Sequence, residues 1–201
     1  EGTVPGVVST ELETCGGLLI VTWTAPTGCD NNAVVKTDTI VIIDETAPVV
    51  PSAPADLVYE CADEVPAAET LTATDNCSGD VVGVPNDVTT PGDCPNSFTI
   101  VRTWTFTDAC DNASSVSQTI TVEDNTAPVV PAAPADVAYE CADEVPAAVT
   151  LTATDNCSDD IVGVPTDVTT PGDCPNSFTI VRTWTFTDEC DNTSEVSQTI
   201  T

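Results

Sequence analysis

The chain has 201 residues, with 3 Lys+Arg against 33 Asp+Glu, no His and a formal net charge of −30. Nothing in it can neutralise phosphates, which excludes a nucleic-acid binder, and the same charge repels it from an anionic membrane surface. Without His it lacks the usual general base and the commonest metal ligand; no apolar run is long enough for a membrane span, and 41% hydrophobic residues argue for folded units rather than acidic disorder.

A shift of 80 residues lays 44–121 onto 124–201 with 67 of 78 positions identical. Residues 1–43 carry a diverged part of the same unit: Cys15, Trp23 and Cys29-Asp30-Asn31 match Cys94, Trp104 and Cys110-Asp111-Asn112. The expected organisation is a partial repeat, the C-terminal part of a unit, over 1–43, then complete repeats over 44–123 and 124–201. This reads as a window of a longer array, whose period marks tandem domains rather than solenoid coils.

Within a repeat every signal is β. Thr and Val dominate, Pro and Gly punctuate, and helical periodicity is absent. In chain order, strands are predicted over 56–61, 69–73 and 80–84, with a short one near 88–90, the strongest over 98–107 and a last over 115–122. Along 98–107, Phe98, Ile100, Trp104 and Phe106 share one face and Thr99, Val101, Thr103, Thr105 and Thr107 the other. Arg102 interrupts the apolar face, and Val21 holds its place in the first repeat. A structural role is expected for it, snorkelling to the rim to meet a carboxylate. Short alternating strands at this density predict an all-β fold: tandem immunoglobulin-like β-sandwich domains in an elongated, disulfide-stapled array.

Cys61, Cys77, Cys94 and Cys110 are spaced by 16, 17 and 16 residues, and Cys141, Cys157, Cys174 and Cys190 by the same steps. Outside any C-x-x-C pair and without His, they read as disulfides in an oxidising, extracellular compartment rather than as zinc ligands. A ten-residue strand spans roughly 33 Å, far beyond the ~7 Å Cα limit of a disulfide, which argues against Cys94–Cys110. An immunoglobulin-type strand order puts Cys61 and Cys94 at one pole of the domain (the lower) and Cys77 and Cys110 at the other. The expected bridges are therefore Cys61–Cys94, Cys77–Cys110, Cys141–Cys174 and Cys157–Cys190. Each closes a loop of about 34 residues, ~4 kcal/mol on the loop-entropy model. Cys15 and Cys29 then lack upstream partners, or pair with each other if the chain is complete.

Fourteen acidic residues fall in each complete repeat, and the strand order gathers them at the poles. Asp75, Asp108, Asp111 and Asn112 belong to the upper pole, with Asp155, Asp188, Asp191 and Asn192 their equivalents. Glu60, Asp63, Glu64 and Asp93 belong to the lower pole, beside the linker residues Asp44, Glu45, Asp124 and Asn125. The upper pole of one domain is expected to face the lower pole of the one before. So many carboxylates at one junction repel unless a cation sits between them. An all-oxygen set without His or thiolate suits Ca²⁺, which takes 6–8 oxygens, and these sixteen residues are the candidate ligands. The alternative is a solvated acidic surface that keeps a long rod soluble.

Three motifs carry a resemblance. Thr72-Ala73-Thr74-Asp75-Asn76-Cys77, then Arg102-Thr103-Trp104-Thr105-Phe106-Thr107-Asp108 with Cys110-Asp111-Asn112, and Ser117-Gln118-Thr119-Ile120-Thr121-Val122 resemble hyalin-type (HYR) repeats, immunoglobulin-like modules of extracellular and adhesive proteins. The tandem acidic form is similar to the long surface adhesins and filaments of gliding bacteria. The linker Glu123-Asp124-Asn125-Thr126-Ala127-Pro128 also resembles the calcium-holding D-N-x-A-P linker of cadherins. The resemblance implies a stalk or filament segment of a cell-surface, adhesin-type protein, with neighbouring repeats as its partners. The alternative is a multivalent adhesive module whose repeats themselves bind glycan or protein. The loop Pro91-Gly92-Asp93-Cys94-Pro95-Asn96 recurs unchanged, which favours the stalk. No enzyme is expected: Asp63-Glu64 lies on a pole without an aromatic platform, and no His or Lys is placed to activate a hydroxyl. Asn76-Cys77-Ser78 and Asn112-Ala113-Ser114 match the glycosylation sequon.

Overall fold

The computed structural model describes residues 7–13, 16–25, 34–174 and 176–201, and among these every regular element is a strand apart from two 3-10 turns, Ala62–Glu64 and Ala142–Glu144. β1 (Val7–Glu13), β2 (Gly16–Ala25) and β3 (Val34–Ile43) form an antiparallel meander. The next repeat contributes β4 (Leu57–Tyr59), β5 (Thr72–Asp75), β6 (Gly79–Val82), β7 (Val84–Pro91), β8 (Ser97–Thr107) and β9 (Ala113–Glu123). They build a two-stranded sheet, β5-β6, and a four-stranded sheet in the order β4-β9-β8-β7. The last repeat has β10 (Thr152–Ala153) with β11 (Ile161–Val162), and a larger sheet of β12 (Val164–Pro171), β13 (Phe178–Thr187) and β14 (Thr193–Ile200).

The alternation along β8 sets the core. Trp104 and Phe106 are fully buried and pack with Ala73 of β5 and Val81 of β6, flanked by Val50, Ala68, Leu71 and Val116. The two sheets therefore face each other across one apolar layer, the immunoglobulin-like sandwich expected from the sequence. Trp104 Nε1 donates to Glu69 O at 2.9 Å, so the buried indole has its partner. Ala153, Trp184 and Phe186 repeat the arrangement, with Trp184 Nε1 on Val149 O at 2.9 Å. Gly83 leaves room for the ring: a Cβ there would sit 2.7 Å from Phe106 Cε1, and Gly163 stands in the same relation to Phe186.

Three predicted strands differ markedly in extent, and the one expected over 56–61 is confined to Leu57–Tyr59. The one expected over 69–73 forms at Thr72–Asp75, where it pairs with Gly79–Val82, while Glu69 O is taken by Trp104 Nε1. The short one near 88–90 grows to the eight residues of β7, all exposed. An edge strand bounded by Pro, with every residue exposed, shows no alternation to read. β4 pairs in parallel with β9, clamped by Gln118 Nε2 on Ala55 O (2.6 Å) and Thr119 N on Asp56 Oδ1 (2.8 Å).

Arg102 is not at the rim. Its side chain is 6% exposed and forks onto Asp87, Nε to Oδ1 at 2.8 Å and Nη2 to Oδ2 at 2.9 Å. Arg182 repeats this on Asp167 and also donates from Nη1 to Pro146 O at 3.1 Å. A rigid fork matching a carboxylate is how an arginine is buried.

The chain clusters into two compact units that do not follow the repeat boundary: 1–55, 68–87 and 102–118 form one, and 56–67, 88–101 and 119–201 the other. The first is centred on Trp104 and Phe106. The second holds Trp184 and Phe186 together with Cys61, Ile100, Ile120 and Val122, all buried.

Candidate cation sites and the stapled junction

Each candidate site begins with the aspartate that opens a repeat. In the first unit Asp44 is buried; its Oδ1 accepts from Thr46 N at 3.1 Å, while Oδ2 is buried without a partner. Asp75, at the end of β5, accepts Ser78 N (2.7 Å) and Cys77 N (2.9 Å) on Oδ1, and its Oδ2 is likewise buried and unpartnered. Those amide hydrogen bonds, from Ser78 first and then Cys77, hold the Asp75 carboxyl below the usual range. Asp108 follows β8 and accepts Cys110 N (2.8 Å) and Asn112 N (2.9 Å) on Oδ1 and Asn112 Nδ2 (2.9 Å) on Oδ2. The turn closes through Asp111, whose φ of 64° lies in the left-handed region that Asp tolerates better than most residues. Asn112 Nδ2 also reaches Asp44 O at 3.1 Å, tying the turn to the opening residue. One carboxylate oxygen from each of Asp44, Asp75 and Asp108 lies within 4.8 Å of the other two.

The second unit repeats the site. Asp124 Oδ1 accepts Thr126 N at 3.1 Å and Oδ2 is buried without a partner; Asp155 accepts Cys157 N (2.8 Å) and Ser158 N (3.1 Å) on Oδ2 and leaves Oδ1 unpartnered. Asp188 takes Cys190 N and Asn192 N, both at 2.8 Å, and Asn192 Nδ2 bridges to Asp124 O at 3.1 Å, with Asp191 at φ 65°. Glu60 joins this group: its Oε2 accepts Thr126 Oγ1 and, at 2.9 Å, Asn156 Nδ2. Burial pushes the Asp124 carboxyl up, and the charges of Asp155, Asp188 and Glu60 push it further against the hydrogen bond from Thr126 N. Cys157 Sγ also lies within 4.8 Å of an oxygen from Asp124 and from Asp155, but it is held in a disulfide and offers no thiolate.

Buried carboxylate oxygens with no donor are costly. Here they converge on further carboxylates; the grouped ligand atoms are carboxylate oxygens apart from the disulfide-bonded Cys157 Sγ, and in the first unit the Cys77 thiol lies beside Asp44. That donor set fits a hard cation of the Ca²⁺ kind, with Asp44, Asp75 and Asp108 in one unit, and Asp124 and Asp155 in the other, as the grouped residues able to hold it. Asp188 and Glu60 are close enough to raise the Asp124 carboxyl but lie outside that group.

The disulfides correct the expected pairing. Cys61 bonds Cys157 (Cα–Cα 5.1 Å) and Cys94 bonds Cys190 (5.2 Å), each across 96 residues and each within the second unit. Cys77, Cys141 and Cys174 are free thiols, and Cys110 is disulfide-bonded. None of Cys61–Cys94, Cys77–Cys110, Cys141–Cys174 or Cys157–Cys190 forms. Lower-pole cysteines of one repeat bond upper-pole cysteines of the next, instead of pairing within a pole. Cys15 and Cys29 lie outside the described residues. Beside the bridges, the buried Asn96 accepts Ala62 N on Oδ1 (3.1 Å), donates Nδ2 to Cys157 O (3.3 Å) and offers its own carbonyl to Asp124 N (3.0 Å).

The family model described as "HYR-like domain with 4 cysteines" matches residues 49–122 and again 129–201. The chain belongs to this HYR-like family. No curated protein matches it. Among solved structures, the protocadherin gamma B7 extracellular cadherin domains 1–4 align with TM-score 0.30 and 13% identity, covering 92% of this chain; the chain spans 57% of that structure's length.

The remaining HYR-repeat candidates separate by role. Glu64 Oε2 accepts Glu60 N and Cys61 N, both at 3.3 Å, and so caps the 3-10 turn. Asp111, Asn112, Asp191 and Asn192 shape turns, and Asn125 Nδ2 bonds Glu123 O at 3.2 Å. Asp93 lines a cavity of about 190 Å³ with Asp124, Asn125 and Asp191. Glu45 and Asp63 are exposed and outside both clusters. The junction residue missed from sequence was Asn96. Its signal was present in the unchanged Pro91–Asn96 loop, where the Gly92 N–Ser97 O and Ser97 N–Cys94 O bonds fix a turn that points Asn96 inward.

Proposed function

We propose that this chain is a segment of a non-catalytic stalk in an extracellular, surface-displayed repeat protein, whose consecutive HYR-like repeats are joined by disulfides and loaded with Ca²⁺. The observation that carries the reading is the pair of 96-residue bridges, Cys61–Cys157 and Cys94–Cys190. Bonds that run from one repeat into the next restrict the hinge at which a string of domains would otherwise bend. The adhesive-module alternative needs repeat loops free to meet a ligand, whereas the loop that recurs unchanged supplies Cys94 and Asn96 to the junction. Ca²⁺ would neutralise Asp124, Asp155, Asp188 and Glu60, whose mutual repulsion opposes close approach of the repeats.

Thermal unfolding of the oxidised chain, in millimolar Ca²⁺ and then in excess EDTA, tests the cation half. Extracellular sites hold calcium at ~10⁻⁴–10⁻³ M, so about 5 mM ion contributes roughly 1–2 kcal/mol per site. That corresponds to a Tm rise of about 4 °C or more. An unchanged Tm returns the carboxylates to a solvated acidic surface.

A further inference from the structure

We infer that the face of the last repeat carrying Cys141 and Cys174 is an acceptor site for one more four-cysteine repeat following in tandem. The array is then a disulfide ladder, in which the first cysteine of each repeat bonds the second of the next and the third bonds the fourth of the next. The inference deepens the stalk reading and rests on it.

Both observed bridges obey this register, with the same separation of 96 residues. The remaining cysteines fit it too. Cys141 and Cys174, a first and a third cysteine of one repeat, are both free and exposed rather than bonded to each other. Cys110, a fourth cysteine, is disulfide-bonded, as the register requires where a repeat precedes it.

Identical sequence in two settings makes the acceptor visible. Cys61 and Asn96 are 5% and 7% exposed, whereas their equivalents Cys141 and Asn176 are exposed. The local fold does not differ: the turns Ala62–Glu64 and Ala142–Glu144 match, and Glu144 Oε2 accepts Cys141 N at 3.3 Å as Glu64 does for Cys61 N. Glu140, Cys141 and Asn176 line a cavity of about 330 Å³ on this face. The matching residues Glu60, Cys61 and Asn96 bind Asn156, Cys157 and the Cys157 carbonyl. The occupant that fits is therefore a repeat presenting Asp-Asn-Cys-Ser and Cys-Asp-Asn, the motifs of Asp155–Ser158 and Cys190–Asn192. Each new bridge removes two protons and two electrons from a thiol pair. A disulfide oxidant of the glutathione-disulfide class takes them up through a mixed disulfide and leaves as two thiols.

The test appends a second copy of residues 122–201 to the full chain and folds it in a glutathione redox buffer, in parallel with millimolar Ca²⁺ and with EDTA. Free thiols are then alkylated without reduction and the peptides mapped. In the unextended chain Cys141 and Cys174 are alkylated. In the extended chain both are protected and crosslinked to the second and fourth cysteines of the appended copy. Changing that second cysteine to Ser frees Cys141 alone and leaves the Cys174 bridge, which separates a specific register from general misfolding. A Cys141–Cys174 crosslink, continued alkylation of both in the extended chain, or disulfide-linked dimers of the unextended chain through these two residues would overturn the inference. Bridges in this register in either medium support the inference and their absence in both overturns it, so failure of the calcium reading leaves the result unaffected.

Discussion

Asp124 is an aspartate placed where an ionised carboxylate is disfavoured. Burial and three neighbouring acids raise its folded pKa above the unfolded value. Its contribution to stability in the absence of metal is therefore present below about pH 3.9 and lost as pH rises through the folded pKa. The variant Asp124→Asn keeps the shape without the charge. In EDTA at pH 7 it is expected to be at least as stable as the parent, and it should lose most of the Ca²⁺-dependent rise in Tm; calorimetry in both media reads the two effects separately. Asp87 and Asp167 behave oppositely, because the hydrogen bonds from Arg102 and Arg182 lower their pKa values. Their contribution is present above about pH 3.9 and is lost as pH falls through the folded value. Asp87→Asn leaves a buried guanidinium without its carboxylate and should cost about 2 kcal/mol at pH 7, shrinking toward pH 3, as urea titrations across pH would show. Arg102 itself was legible only in part. The sequence marks a lone cation on an apolar face, but its partner lies 15 residues away on β7, a strand with no alternation to announce it.

At the scale of elements, β8 was the most legible part of the chain, because a strand buried on one face writes its period directly into the sequence. Small substitutions between the repeats show what else shapes the sheets. Gly79 takes a φ of 73° where the β5–β6 hairpin turns, and the ladder there runs over four residue pairs. Asp159 stands at the matching place in the last repeat, and the β10–β11 ladder has two. A glycine adopts the left-handed conformation without steric cost, and its replacement shortens the hairpin. Gly83 matters for a different reason. Gly83→Ala would put a methyl 2.7 Å from the Phe106 ring in a layer that cannot yield, and a loss of about 1–3 kcal/mol is expected in chemical denaturation, with Gly163→Ala matching it. Such close approaches are tertiary facts; a glycine between Val82 and Val84 reads the same whether or not a ring lies against it.

Across the whole molecule, the sequence showed the repeat, the poles and the oxidising chemistry, yet the bridges had to be seen. The expectation that one domain's upper pole meets the lower pole of its predecessor was applied to carboxylates and not to cysteines. An immunoglobulin-type order allows pairing within a pole as readily as between repeats, and energy does not decide between them. Closing about 34 residues contributes ~4 kcal/mol and closing about 96 contributes ~4.7 kcal/mol, a difference below 1 kcal/mol. The two pairings differ instead in consequence, since bonds between repeats tie 56–67 and 88–101 to 119–201 within the second compact unit. The most direct measurement is non-reducing proteolysis and mass mapping of the oxidised 201-residue chain, with free thiols blocked beforehand. Crosslinked peptides containing Cys61 with Cys157 and Cys94 with Cys190 are predicted. Peptides joining Cys61 to Cys94 and Cys157 to Cys190 would contradict the account and return each repeat to a separately closed domain.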